Sequence, residues 1–257
     1  MSDDRLAIER LEQGAVWRLA LGGSKGNIVD MALIGALRAA FEDAARTPAL
    51  KAILLEGQGR HFSFGASVQE HLPGEVAGML TRFRALLLQM LDSAVPLLAV
   101  VRGQCLGGGL ELVTVCQRVF AARDARLGQP EIALGVFAPF ASAMLPERVG
   151  RRHAEELCLS GRSVTAEEAL AMGLVDELCD QDPAESALAW VRQHLLPRSA
   201  CSLRFAVRAL RQGLRARLAA ELPALEGLYL GELMQSADAI EGLNAFLEKR
   251  SPVWRNA

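Results

Sequence analysis

The chain has 257 residues, of which 51% are hydrophobic and 23% charged, with a formal net charge of −2. This length suits a domain with an ordinary buried core, and the near-neutral charge argues against nucleic acid as a partner. No apolar run approaches the roughly 20 residues that cross a bilayer. The five scattered cysteines lack a CxxC pair, which predicts free thiols and a cytoplasmic protein.

The first third of the chain predicts strands and helices in alternation. Residues 6–12 and 15–21 alternate in polarity around Gly14, which indicates a β-hairpin. Residues 30–45 have helical spacing, with Asp30 as the N-cap. A short apolar strand follows at residues 51–56.

The middle of the chain continues this alternation. Residues 75–91 form an amphipathic helix, and residues 97–101 are apolar on both faces, as in a buried parallel strand. A glycine triplet, 107–109, then turns into a helix predicted over 110–116, and a short strand follows at 119–122. The order β-α-β-α-β predicts a layered α/β fold.

The last third is mainly helical. Residues 165–168 form a capping box for a helix that Gly173 ends, and residues 174–178 are predicted as the final strand. From about residue 182 the pattern is helical, with breaks predicted at Pro197 and Pro223. We therefore predict an α/β core over residues 1–195 and a helical region over residues 196–257 that mediates oligomerisation.

Two isolated carboxylates give the strongest indication of chemistry. Glu111 is the only charge between Arg102 and Arg118, and Glu131 is the only one between Arg126 and Glu147. A carboxylate in an apolar stretch is costly unless it is paired, hydrogen-bonded or protonated. Glu111 could instead be a first-turn charge that favours the helix dipole, and Glu131 a surface charge. The apolar neighbours predict that these carboxylates are buried, and this favours a role in proton transfer over both alternatives.

Glycine-rich segments lie close to these carboxylates in the chain. The triplet 107–109 leads from a buried strand into a helix, whose free N–H groups can bind an anion or a developing oxyanion. The alternative is a tight turn with close packing. In the loop 59–67, His61 is a candidate base, although a structural role is the simpler interpretation.

Several motifs in register resemble one family. Phe64-Gly65-Ala66, the segment from Gly107 to Glu111, and Gly128-Gln129-Pro130-Glu131 are similar to those of the crotonase (enoyl-CoA hydratase/isomerase) superfamily. Segments 27–30, 173–175 and 246–250 also fit, so the resemblance covers essentially the whole chain. It implies a crotonase-like spiral of ββα units, a C-terminal helical trimerisation region and a trimer or a dimer of trimers.

The resemblance also implies a site. The substrate would be an acyl-CoA thioester, with its oxygen held by the backbone N–H groups of Ala66 and Gly108. Glu111 would deprotonate water and Glu131 would supply a proton to carbon, which requires a raised pKa. The presence of both glutamates favours hydration. No metal or separate cofactor is implied, because CoA belongs to the substrate.

This chain departs from the family pattern at two places. Gln69 stands where a lysine that helps hold CoA is usual, and a glycine-rich loop after the second glutamate is replaced by residues 138–142. Pro139 and Phe140 in that segment suggest a pocket for a flat or cyclic acyl group. The substrate-binding residues expected by analogy are Lys25, Ile28, Gly65, Gly107, Phe137, Pro139, Phe140 and Lys249.

The altered segment is most similar to the branch of the family that hydrates a cyclic dienoyl-CoA thioester in anaerobic benzoyl-CoA degradation. The alternatives are a hydratase of linear enoyl-CoA chains, an enoyl-CoA isomerase, and a catalytically silent binding protein.

Overall fold

The computed structural model describes residues 5–257, and its main element is a six-stranded sheet. The spatial order of the strands is β1-β2-β3-β4-β6-β9; the hairpin β1–β2 is antiparallel and every other pair is parallel. These strands are β1 (Leu6–Leu11), β2 (Val16–Leu21), β3 (Ala52–Gly57), β4 (Leu97–Val101), β6 (Arg118–Ala122) and β9 (Glu177–Cys179).

A second, smaller sheet stands beside the first and was not predicted. It consists of β5 (Gln104–Leu106), β7 (Arg126–Gly128) and β8 (Ser163–Thr165). β5 and β7 are parallel, and β8 is antiparallel to β7. Strands of three residues carry too little periodicity to be recognised in a sequence.

Residues 5–257 contain eight α-helices. They are α1 (Met31–Ala45), α2 (Val76–Asp92), α3 (Gly108–Thr114), α4 (Pro139–Ser160), α5 (Ala166–Met172), α6 (Pro183–His194), α7 (Ala200–Gly231) and α8 (Ala237–Leu247). Every residue of β4 is buried, because α6 covers one face of the main sheet and the other face meets the larger hydrophobic core.

Several local predictions are confirmed. The Asp30 carboxylate accepts a hydrogen bond from the N–H of Leu33 at 2.9 Å and caps α1. Thr165 and Glu168 form the predicted capping box, and Gly173 ends α5 in the left-handed conformation. These signals are local in the chain, so they do not depend on the tertiary packing.

Other boundaries were wrong. The predicted strand 174–178 is displaced to β9, the helix predicted from residue 110 already begins at Gly108, and the segment treated as a loop at 138–142 contains the first turn of α4. Pro223 lies inside the continuous helix α7 instead of breaking it. Packing of Leu222 and Tyr229 in the core holds the helix across the missing proline N–H.

Buried Arg211 ties α7 to the centre of the molecule. Its guanidinium donates to the carbonyl of Met90 at 2.9 Å, near the end of α2, and to the carbonyl of Val115, directly after α3. This side chain thus connects α7 to the end of the helix that carries Glu111. The domain boundary at residue 195 stays a prediction. Across residues 5–257, we find no helix with the length and hydropathy needed to traverse a membrane.

Candidate active site

The small sheet places the two glutamates. Glu111 lies in α3, which follows β5, and Glu131 lies in a 3-10 helix, Pro130–Leu134, which follows β7. Because β5 and β7 are parallel neighbours, their carboxyl ends meet at one edge. This pairing brings both glutamates into the lining of one cavity. The strands that do so are β5 and β7, which had escaped prediction.

Glycine allows two loops to approach each other at this edge. Gly107 caps α3 with φ +50° and ψ −125°, and its N–H donates to the carbonyl of Gly128 at 2.9 Å. An added Cβ would lie 2.5 Å from the Oε1 atom of Glu131. Gly65 has φ +101°, and a Cβ there would lie 3.0 Å from the carbonyl oxygen of Leu106. Side chains at either position would separate the loops.

The backbone N–H groups of Ala66 and Gly108 lie where these two loops approach each other. An ideal Cβ on Gly108 would lie 3.1 Å from the nitrogen of Ala66, so the two backbones are in close contact. Within the described part of the chain, neither N–H donates to a protein acceptor. Gly108 is the first residue of α3, where N–H groups have no partner inside the helix. The pair can hold one oxygen that gains negative charge.

Ser63 and Asn27 hold the loop that carries Ala66. The Ser63 hydroxyl accepts a hydrogen bond from the Gly65 N–H at 3.0 Å and donates to the Asn27 carbonyl at 2.8 Å. The Asn27 amide donates to three carbonyls of the same loop, including that of His61 at 2.8 Å. The His61 ring accepts from the Gln104 N–H at 3.1 Å, which is a structural role.

Glu111 is buried, and a single hydrogen bond compensates only part of the solvation that its carboxylate loses. Its Oε1 atom accepts a hydrogen bond from the N–H of Ala141 in α4 at 2.8 Å. Burial and the negative charge of Glu131 raise the pKa of Glu111 to about 8, against the lowering effect of that hydrogen bond. The predicted segment 138–142 therefore helps to position the first carboxylate.

Glu131 is partly exposed as a residue, yet its Oε2 atom is buried and lacks a hydrogen-bond partner among residues 5–257. Burial raises the pKa of Glu131 to about 7, against the effect of its own backbone N–H. The raised pKa of Glu131 agrees with the expectation from the sequence. Two neighbouring buried carboxyl groups can share one proton, which can reside on either of them, so the pair can accept one proton and give another.

Stability should depend on pH through these two groups. The folded chain retains protons that the unfolded chain, with pKa values near 4.5, has already released. The unfolded state then binds fewer protons, so the free energy of unfolding should fall by a few kcal/mol between about pH 5 and pH 8. Denaturant titrations across this range measure the decrease. The double variant Glu111→Gln, Glu131→Gln should lose most of it, and an unchanged pH dependence in that variant would contradict the raised pKa values.

Two cavities meet at Glu131. An inner cavity is lined by both carboxylates and by mostly apolar residues, including Phe137, Pro139 and Phe140. An outer groove is lined by Ile28, Gly65 and Gly107. Ala66 and Glu131 line both. A thioester at this junction can place its acyl group inside and its CoA part in the groove.

Two predicted residues do not contribute to these cavities within a single chain. Lys25 and Lys249 are exposed, and neither is among the described residues that line the inner cavity or the outer groove. Gln69 does line the groove. The roles of the two lysines in CoA binding stay predictions.

Sequence reasoning missed three polar residues at the far side of the inner cavity. Arg84 of α2 and Glu226 of α7 form an ion pair with an N–O distance of 2.5 Å. Tyr229 lies one turn further along α7 and is almost fully buried. The positions 222, 226 and 229 share one helical face, a spacing that is visible in the sequence, but nothing there shows that this face covers the cavity.

The likeness to known proteins extends over the whole chain. The sequence model of the family described as enoyl-CoA hydratase/isomerase matches residues 13–257. A cyclohexa-1,5-dienecarbonyl-CoA hydratase of Thauera aromatica is 53% identical over 243 residues, covering 95% of this chain and 94% of the relative. A probable enoyl-CoA hydratase of Bacillus subtilis is 34% identical, covering 92% of this chain and 94% of the relative.

Solved structures confirm the predicted fold. Carnitinyl-CoA hydratase from Mycobacterium avium superimposes with a TM-score of 0.85 at 28% identity, covering 99% of both chains. An enoyl-CoA hydratase/isomerase from Pseudoalteromonas atlantica gives a TM-score of 0.84 at 25% identity, covering 97% of this chain and 99% of that one. The predicted family is confirmed by sequence and by fold: this chain is an enzyme of the enoyl-CoA hydratase/isomerase family.

Proposed function

We propose that this protein adds water to cyclohexa-1,5-diene-1-carbonyl-CoA and forms 6-hydroxycyclohex-1-ene-1-carbonyl-CoA. The observation that carries this proposal is the pair of glutamates with raised pKa values that line one mostly apolar cavity, close to the N–H groups of Ala66 and Gly108, which donate to no acceptor among residues 5–257. The Thauera aromatica relative, a hydratase named for this substrate, supports the cyclic acyl group.

The substrate determines where water and proton must go. Ring carbon 2 is the carbon activated by the thioester, so the water oxygen adds there. The electrons move onto the thioester oxygen and are shared with the second double bond. A proton added at carbon 5 leaves the remaining double bond between carbons 1 and 6. This is the named product, in whose numbering the carbon that carries the hydroxyl is carbon 6 instead of carbon 2. Oxygen and hydrogen are therefore added at opposite positions of the ring.

The site offers one group for each step. Ala66 and Gly108 would donate their N–H groups to the thioester oxygen and stabilise the charge that develops on it. Glu111 in its ionised form would take a proton from water while the oxygen bonds to carbon 2. Glu131 in its protonated form would give its proton to carbon 5. The pair returns to its starting state when the proton on Glu111 passes to Glu131.

The cavity walls support a short, flat acyl group. Phe137, Pro139 and Phe140 line one side, and the Arg84–Glu226 ion pair lies on another. Charged groups in the wall disfavour a long hydrocarbon chain, because that chain would have to displace their solvation. Assembly into trimers or hexamers, a cytoplasmic location, the absence of a separate cofactor and participation in benzoyl-CoA degradation stay predictions.

A direct comparison of two substrates tests the proposal. Purified protein is mixed with cyclohexa-1,5-diene-1-carbonyl-CoA or with crotonyl-CoA, and mass spectrometry follows the gain of one water. We expect rapid hydration of the diene and little hydration of crotonyl-CoA. In heavy water, NMR of the product should locate the new deuterium at the ring carbon that was carbon 5 of the substrate.

Each other outcome favours a different function. Preference for crotonyl-CoA would indicate a hydratase of linear chains and would contradict the argument from Pro139 and Phe140. A shift of the double bond without gain of water would indicate an isomerase. Tight binding of both thioesters without any conversion would indicate a silent binding protein.

A further inference from the structure

The hydroxyl group of Tyr229 is an unpartnered donor inside the inner cavity. Tyr229, the only tyrosine of the chain, is 1% exposed. Its hydroxyl oxygen is buried and has no hydrogen-bond partner within residues 5–257. A buried hydroxyl without a partner destabilises a fold, and buried tyrosines usually find one. No described residue supplies a partner for this hydroxyl, which can therefore donate a hydrogen bond to a bound ligand.

The ring of Tyr229 is held firmly. It packs edge-on against Phe137, with 5.3 Å between the ring centroids, and both rings line the inner cavity. Burial, followed by the negative charges of Glu131 and Glu111, raises the pKa of Tyr229, so the phenol stays protonated and can donate. Glu111 and Glu131 line the same inner cavity.

The other polar groups of this cavity are mostly satisfied. Arg84 and Glu226 pair with each other, and the Glu111 carboxylate accepts from the Ala141 N–H. His71 bonds through Nδ1 to the Ser67 carbonyl at 2.8 Å. Of the side-chain atoms that line the cavity and belong to described residues, the Tyr229 hydroxyl and the Glu131 Oε2 atom are left buried without partners.

An unpaired phenol donor inside the cavity that would hold the acyl ring matches an oxygen atom on that ring, which can accept a hydrogen bond. We propose that Tyr229 is a substrate-binding residue that donates a hydrogen bond to the oxygen atom that hydration adds to the ring. This assignment rests on the proposed hydratase function. It gives the cavity a means to distinguish the hydroxylated ring from the ring without the hydroxyl.

Two matched ligands and one matched substitution test the assignment. The ligands are 6-hydroxycyclohex-1-ene-1-carbonyl-CoA and cyclohex-1-ene-1-carbonyl-CoA, which differ by the hydroxyl alone. The substitution is Tyr229→Phe, which removes the phenol oxygen and keeps the packing on Phe137. Calorimetric titrations are made with Glu111→Gln protein, to suppress turnover, with and without Tyr229→Phe. Thr81→Ala, which removes an exposed hydroxyl on the outside of α2, is the control.

We expect Tyr229→Phe to weaken binding of the hydroxylated ligand by about 10-fold, the effect of one lost hydrogen bond, and to leave the other ligand unaffected. The melting temperature should stay the same or rise, because a buried unpaired group is removed. Equal effects on both ligands, or no effect on either, would overturn the assignment. Hydration of the diene by wild-type protein is measured separately. Failure of that reaction would contradict the proposed function, whereas the comparison of the two ligands tests the Tyr229 contact alone.

Discussion

Replacement of Glu111 by Gln should lower kcat for hydration by about 10²–10⁴-fold, the usual contribution of a general acid or base. Glutamine has nearly the same shape and can still occupy the position beside the Ala141 N–H, but it cannot take a proton from water. KM should change little, because the CoA groove is lined by other residues. Steady-state rates with the cyclic diene measure both constants.

A second buried glutamate provides the control for this substitution. Glu56 lies at 9% exposure in β3 and pairs with Arg102 at 3.0 Å, away from both cavities. Glu56→Gln should reduce stability through the weakened ion pair and leave kcat near the wild-type value. If Glu111→Gln behaves like Glu56→Gln, with stability altered and kcat retained, then Glu111 is not the base.

Gly107→Ala should reduce kcat by about 10²-fold, a typical effect of a misplacement of about 1 Å in an active site. The added methyl group would lie 2.5 Å from the Oε1 atom of Glu131, so that carboxylate has to move. The backbone at φ +50° would also be strained by about 1–3 kcal/mol in any residue other than glycine. Kinetics and thermal unfolding of the same preparation separate the two effects.

Gly59→Ala separates strain from displacement. Gly59 has φ +76°, and an added Cβ would meet nothing within 4 Å. This variant should lose stability through the same kind of backbone strain while its kcat stays close to wild type. Comparable losses of kcat in the Gly59 and Gly107 variants would show that strain, rather than displacement of Glu131, reduces activity.

Local signals in the sequence determined a large part of the fold. The hairpin around Gly14, the Asp30 cap and the box formed by Thr165 and Glu168 follow from backbone geometry and from hydrogen bonds between residues close in the chain. The isolated charge of Glu111 also indicated burial directly, because a carboxylate among apolar neighbours is carried into the core with them. The same reasoning does not hold for Glu131, because its neighbour Ile132 is 39% exposed. The family resemblance added the prediction that the N–H groups of Ala66 and Gly108 hold the thioester oxygen.

Only the tertiary structure decided how these parts meet. Parallel pairing of the short strands β5 and β7 brings the two glutamates to one edge, and three-residue strands have no pattern of their own. Pro223 remains helical because the packing of α7 offsets one missing hydrogen bond. The same packing carries Tyr229 to the cavity, more than 90 residues beyond Glu131 in sequence. Contacts over such distances depend on the whole fold, and no local pattern encodes them.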